Sequence, residues 1–253
     1  MTLQFNEPAR KPYEADKYFG RNIDKMPELL ADNRLPISVS GFMKLRLKAL
    51  DLYASILEKP KEFTHEHKRE VAKFFKDVWS NYADTGDGVL YHPEGMIKTD
   101  LDSESIRKIN PKSKMTSDGA VLLESGLYAA TKMPELSKEE LQRYTGKPHS
   151  GEEALDNKLW RVFARDPNEV PAQHAEDPTL LKIYVKAFNS LAKIAFDYNN
   201  GMGVYVGSPQ KDVETARSWV VDRLRNRSGA DGRSHLDGDL GRLVGVAPEA
   251  PRL

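Results

Sequence analysis

From Phe42 to Leu57 the polar residues Lys44, Lys48, Asp51, Ser55 and Glu58 recur at spacings of three and four between mainly apolar positions. That period predicts an amphipathic helix with a broad buried face, capped by Ser40 and followed by Pro60. From Thr64, the apolar and aromatic residues Val71, Phe74, Phe75, Val78, Trp79 and Tyr82 repeat with the same period, and the cluster Thr85-Gly86-Asp87-Gly88 marks a stop. The two helices are expected to pack as an antiparallel pair. A third begins at Asp177-Pro178, an acid cap followed by proline at the first helical position, and runs to about Tyr198 before Asn199-Asn200-Gly201. Lys182, Lys186, Asn189, Lys193 and Asp197 form its one narrow polar stripe, which predicts a central helix buried around most of its circumference.

Weaker patterns fill the gaps. Pro8, Pro12, Pro27 and Pro36 suit an extended arm, anchored by Phe5, Tyr13, Tyr18 and Phe19. Val89 to Tyr91 and Met96 to Ile97 flank His92-Pro93-Glu94-Gly95 and predict a short β-hairpin or folded loop. The apolar run between Thr116 and Met133 reads as a buried helix, despite Gly119 and Gly126. Ser137 with Glu140, and Ser150 with Glu153, match the capping box, and the second of these helices is expected to reach Arg165. Gly203 to Gly207 reads as a strand that pairs with the 89–97 segment, and Ser208-Pro209 as the opening of a last helix to about Arg227. The fold class predicted is therefore mainly α: an irregular helical domain of about seven helices with a minor β-hairpin. Its boundaries are an N-terminal arm over 1–40, the helical domain over 41–228 and a Gly/Asp/Pro-rich C-terminal tail over 229–253.

Composition narrows the chemistry more than it assigns it. Thirty-eight basic and thirty-eight acidic side chains cancel, so no whole-chain field draws the protein to nucleic acid or to an anionic membrane. Without cysteine there is no disulfide, thiol nucleophile or thiolate metal site. The first twenty residues lack the apolar stretch of a signal peptide and no later run approaches the ~20 apolar residues of a membrane span, so cytoplasmic residence is expected and membrane insertion is not.

Several motifs carry candidate chemistry. The His92-Pro93-Glu94 turn offers an imidazole and a carboxylate together on a loop, so His92 and Glu94 are the candidate acid–base pair. Asp231, His235, Asp237 and Asp239 could gather around a metal ion, although the calcium-loop spacing fails because Pro248 falls at the twelfth position counted from Asp237. Asp100-Leu101-Asp102-Ser103-Glu104 fails the same test and suits the start of a short helix. His65-Glu66-His67 lacks the spacing of a zinc helix, and His67 is expected at the edge of the core. The glycines from Gly201 to Gly207 match neither phosphate-loop pattern.

Arg217, Arg223, Arg225 and Arg227 form the main local excess of basic charge, on the expected last helix beside Trp219, and are the candidate nucleic-acid contacts. Glu214 and Asp222 stand three residues from Arg217 and Arg225, which favours a solvated helix face over a phosphate-binding one. No serine-nucleophile or kinase signature is present. The leading expectation is a binding or scaffold protein that meets a protein partner, or a second copy, through a helical surface. The first alternative is an enzyme, metal-assisted hydrolysis included, whose site is assembled from distant positions; nucleic-acid binding comes second. The sequence leaves the identity of any cofactor open.

Overall fold

The computed structural model describes residues 13–14, 16–197, 200–225 and 229–247. Strand β1 (Tyr13–Glu14) is followed by helix α1 (Asn22–Ala31), strand β2 (Leu35–Pro36), helix α2 (Val39–Glu58) and helix α3 (His65–Ser80). The chain then enters the long strand β3 (Ala83–Tyr91), turns into β4 (Ile97–Asp100) and passes through α4 (Glu104–Arg107), β5 (Val121–Leu122), α5 (Leu127–Ala130) and β6 (Glu135–Leu136). Helices α6 (Lys138–Tyr144), α7 (Gly151–Asp156), α8 (Lys158–Phe163) and α9 (Leu180–Phe196) come next. Strands β7 (Gly203–Tyr205), β8 (Thr215–Val221), β9 (Gly229–Asp231) and β10 (Gly245–Val246) complete the order.

The three long helices expected from the periodic patterns form, the last from Leu180 with Thr179, not Asp177, at its cap position. Ser38, not Ser40, caps α2, its hydroxyl accepting the N–H of Gly41, and Thr64 caps α3 by accepting from His67. Both capping boxes are made, at Ser137 with Glu140 and at Ser150 with Glu153. The second helix is cut at Asp156, because the Asn157 side chain accepts from Leu159 and Trp160 and starts α8 afresh. Asp197 ends α9 in the left-handed region (φ 54°). Only one face of α9 is buried: Tyr184, Val185 and Phe188 pack inward while Ile183 and Ile194 stand in solvent.

The fold class predicted from the sequence is overturned. The chain is 43% helical and 18% strand, and a seven-stranded mixed sheet curled into a half-barrel organises it. The strand order is β6-β4-β3-β8-β9-β7, with β5 also on β8, and every pairing is antiparallel except β7 with β9. The expected last helix does not exist; Thr215–Val221 is strand β8, paired along β3 at the centre of the sheet. The expected buried helix from Thr116 to Met133 is β5 followed by a single helical turn. Its glycines decide this, since Gly119 and Gly126 both have positive φ. Strand β7 forms as expected but pairs with β9, not with the 89–97 segment. The hairpin at His92–Met96 is present, closed by Gly95 (φ 92°), as one corner of the large sheet.

Both faces of the sheet are covered. A large core under α2, α3, α8 and α9 contains Phe42, Trp79, Trp160, Phe163, Phe188 and Trp219. A smaller one beneath α1, α4 and the C-terminal loop holds Tyr18, Met26, Leu29, Ile106, Leu236 and Leu243. The segment expected as an extended arm thus contains a helix that packs on the sheet, and 229–247 adds two strands. Among the described residues no helix is long and apolar enough to cross a membrane.

One close approach tests the β7/β9 junction. A Cβ on Gly229 would lie 2.0 Å from the Gly203 carbonyl oxygen, so backbone would have to move. Gly229→Ala is expected to lose about 1–3 kcal/mol, as other overpacked positions do. Gly207→Ala, whose Cβ would meet only ordinary contacts from 3.7 Å, should stay within about 0.5 kcal/mol of the parent. Thermal melts of the two variants would check this, and equal melting temperatures would contradict the β7/β9 pairing.

Candidate functional site

The Thr85-Gly86-Asp87-Gly88 cluster, expected to end a helix, lies instead within β3 and bulges it. Asp84 faces Val220 and Gly88 faces Ser218, so four steps on β3 match two on β8. Bulges re-aim side chains and are common beside active sites. Here the bulge points two buried carboxylates in different directions.

Asp87 points to the start of α2. Its carboxylate accepts the N–H of Val39 at 2.7 Å and that of Asp102 at 2.8 Å, and stands 3.5 Å from the Arg165 guanidinium. Arg165 also reaches Asp102 at 2.8 Å and lies 3.6 Å from Glu176, which pairs with Lys44. Burial pushes the Asp87 carboxyl above the usual range, while Arg165 opposes it. Every partner here is a structural element of the chain, so this network ties α2, the β3/β4 hairpin and the end of α8 together.

Asp84 points the other way, towards a cleft. Its backbone pairs with Arg242, whose N–H donates to the carboxylate at 2.7 Å, and its side chain is almost fully buried. Burial pushes this carboxyl up; the Arg242 N–H, the nearby Asn22 amide and the Arg242 charge act against it. Asn22 is buried alongside with neither its amide nitrogen nor its oxygen in a well-formed hydrogen bond. The Arg242 guanidinium is committed elsewhere, to the Tyr82 carbonyl at 2.7 Å and Asp77 at 2.9 Å.

The cleft, about 550 Å³, is lined by Tyr82, Asp84, Val220, Arg223, His235 and Asp239 among others, a size typical of small-molecule sites. Arg223 is exposed at its mouth and has no ion-pair partner among the described residues. The Tyr82 hydroxyl donates to the Leu240 carbonyl, and burial pushes the phenol up, partly offset by Arg242 and Arg223. A second cavity of about 480 Å³ shares Asp222 and Arg225 with the first and adds Tyr205, Asp231 and Arg233.

The residues named from the sequence are scattered. His92 is half-buried on the hairpin turn with its ring 5.0 Å from that of Tyr128, and its Nδ1 accepts the N–H of Glu94 at 3.3 Å. The Glu94 side chain is exposed and does not line the small cavity beside His92, whose carboxylates are Asp212 and Glu214. Arg217 is buried in β8, donating to the Asp118 and Ser234 carbonyls at 2.8 Å and pairing with Asp118 at 2.6 Å. It is a structural cation, not a surface one, and Glu214 is not its partner. Arg223 and Arg225 reach the cleft, with Arg225 paired to Asp222 at 3.0 Å as the spacing suggested, and Arg227 lies outside the described residues. Asp231 is held by Arg233, whereas His235 and Asp239 line the larger cleft. Among the described residues no three His, Asp or Glu side chains are placed to hold a metal ion. His67, expected at the core edge, is exposed and stacks on Phe63 at 5.2 Å.

Comparison with family models, with curated proteins and with solved structures finds no match. The site must therefore be read from its own geometry. Asp84 was missed in the sequence because it borders a glycine–aspartate cluster with the composition of an ordinary turn, Tyr82 because it continued the apolar period of a helix, and Asn22 because it lay in the expected arm. The signal for Asp84 was its place immediately before the cluster, three residues from Asp87.

Proposed function

We propose that the Asp84 cleft binds a small anionic ligand and that Asp84 serves there as a general acid–base group, which makes the protein an enzyme of the acid–base type. The observation that carries this reading is a buried carboxyl lining a cleft whose mouth holds an arginine with no ion-pair partner among the described residues. Burial favours the protonated acid, and a buried carboxyl of raised pKa that lines a cleft is a candidate for acid–base chemistry. Arg223 supplies positive charge for an anion at the mouth, and His235 on the same cleft offers it a ring N–H donor. The scaffold reading has less behind it, since the exposed side of α9 sets Ile183 and Ile194 among Lys182, Lys186 and Lys193.

The test uses inorganic pyrophosphate and isothermal titration calorimetry. Arg223→Ala should weaken binding by about tenfold, the loss of one charge-assisted contact. Asp84→Asn should tighten binding at pH 8, where the native carboxylate repels the anion, and leave it unchanged well below the carboxylate range. Removal of His235 acts with the opposite sign and so can be told apart.

Stability gives a second readout of the same group. A carboxyl whose pKa is raised by folding leaves stability untouched below the unfolded value, near ~3.9, and lowers it as pH climbs through the folded one. The melting temperature of Asp84→Asn should therefore gain on the parent between pH 4 and pH 8. Pyrophosphate affinity indifferent to both substitutions would overturn the reading.

A further inference from the structure

The two cavities lie along one line of the sheet. Tyr205 on β7 faces Asp231 on β9, Asp231 faces Val220 on β8, and Val220 faces Asp84 on β3. Residues directly opposite one another across paired strands project to the same face. Their neighbours Val204, Ala230, Val221 and Ala83 all belong to the large core, so the row faces away from it. With strands about 4.8 Å apart, three steps make the row roughly 14 Å long. Further along the same face, Ala216 and Leu90 lie beneath the smaller core, and the row is where that cover gives way to cavities.

The two ends of the row differ in chemistry. At the Asp84 end stand Arg223 and His235. At the other end Arg233 is held flat: its Nε and Nη2 donate to the two oxygens of Asp231 at 2.9 and 2.6 Å, and its guanidinium lies over the Tyr205 ring at 5.1 Å. Tyr205 in turn folds back over Gly203, where a Cβ would come within 2.7 Å of the phenol oxygen. Arg233 is thus supported by a ring on one side, with its charge already met by Asp231, and its side chain is 54% exposed. A fixed guanidinium plane of this kind is a platform for a flat heteroaromatic ring more than a grip for phosphate. Between the ends, the Asp222–Arg225 pair forms the shared wall.

We propose that the two cavities form one bipartite site for a free mononucleotide, its phosphate at Arg223 and His235 and its base stacked on the Arg233–Tyr205 platform. This rests on the anion-binding reading of the Asp84 cleft and adds the second half of the ligand. Adenosine monophosphate, inorganic phosphate and a labelled single-stranded oligonucleotide serve as probes, by calorimetry and fluorescence anisotropy. Adenosine monophosphate should bind at least about tenfold more tightly than phosphate. Arg233→Ala and Tyr205→Ala should remove that advantage and leave phosphate affinity unchanged, whereas Arg223→Ala should weaken both.

Phosphate binding that depends on Arg223, with no gain for the nucleotide or no loss in Arg233→Ala, would overturn the bipartite site and leave the anion cleft standing. Failure of both probes to bind at about 10 mM would sink both readings. An oligonucleotide that binds more tightly than the mononucleotide would overturn the assignment to a free nucleotide and move the source of the same chemistry to nucleic acid.

Discussion

Asp87→Ala is expected to destabilise the fold by about 3–5 kcal/mol, the cost of breaking a buried ion pair by removing one partner. The substitution strips the acceptor from two backbone N–H groups, the buried one of Val39 at 2.7 Å and the part-buried one of Asp102 at 2.8 Å. It also removes one of the carboxylates that face the buried Arg165, whose Nε already lacks a hydrogen-bond partner. The effect spreads because the same carboxylate joins the first turn of α2 to the bulge of β3 and the end of the β3/β4 hairpin. Asp87→Asn, which keeps an acceptor oxygen, should lose clearly less. Urea denaturation of the two variants would measure the difference; a loss below about 1 kcal/mol for Asp87→Ala would place it in the ordinary surface range and refute the structural role.

Phe188→Asp should abolish cooperative folding. Phe188 is buried on the inner face of α9, its ring 6.4 Å from that of Trp79 and 6.1 Å from that of Tyr184. Loss of a core aromatic costs about 3–5 kcal/mol. The introduced carboxylate must in addition be buried without a partner or drag α9 away from the sheet. Together these approach the whole stability of an ordinary domain, about 5–15 kcal/mol. Phe188→Leu keeps an apolar side chain and should unfold cooperatively at a lower temperature. A soluble Phe188→Asp protein that melts where the parent does would show that α9 is not part of the core.

The helices were legible because their signals are local. A capping serine or threonine acts on residues two or three positions away, so Thr64, Ser137 and Ser150 name their helices without reference to anything distant. The amphipathic stripes of α2 and α3 likewise record a buried face, whereas the narrow polar stripe of α9 overstated its burial, since Ile183 and Ile194 stand in solvent. The sheet was not legible, and the reason is burial on both sides. Every residue of β3 and all but one of β8 are buried, so neither strand alternates apolar with polar; the first half of β3 has the composition of a turn, and β8 can be read as a buried helical segment. In β8 the chance spacing of Val213, Ala216, Val220 and Leu224 then tips the reading to helix. The other strands are mostly two to four residues long, too short to show a period.

The candidate site follows the same division. Arg223, Arg225, His235 and Asp239 could be marked as chemistry from residue type, and these four do line the larger cleft, although not as the helix face or metal cluster they suggested. What sequence by itself determined about this protein is that long helices occupy the regions of α2, α3 and α9, that α3, α6 and α7 start at Thr64, Ser137 and Ser150, and which side chains are available for chemistry. Tertiary structure alone decided that Asp84 stands in line with Val220, Asp231 and Tyr205, residues up to 147 positions away, because strand register is fixed by pairing between distant segments. It also decided which of two aspartates three residues apart supports the fold and which faces the cleft. A two-residue bulge turns them to different partners, and no local property of Asp84 or Asp87 records that choice.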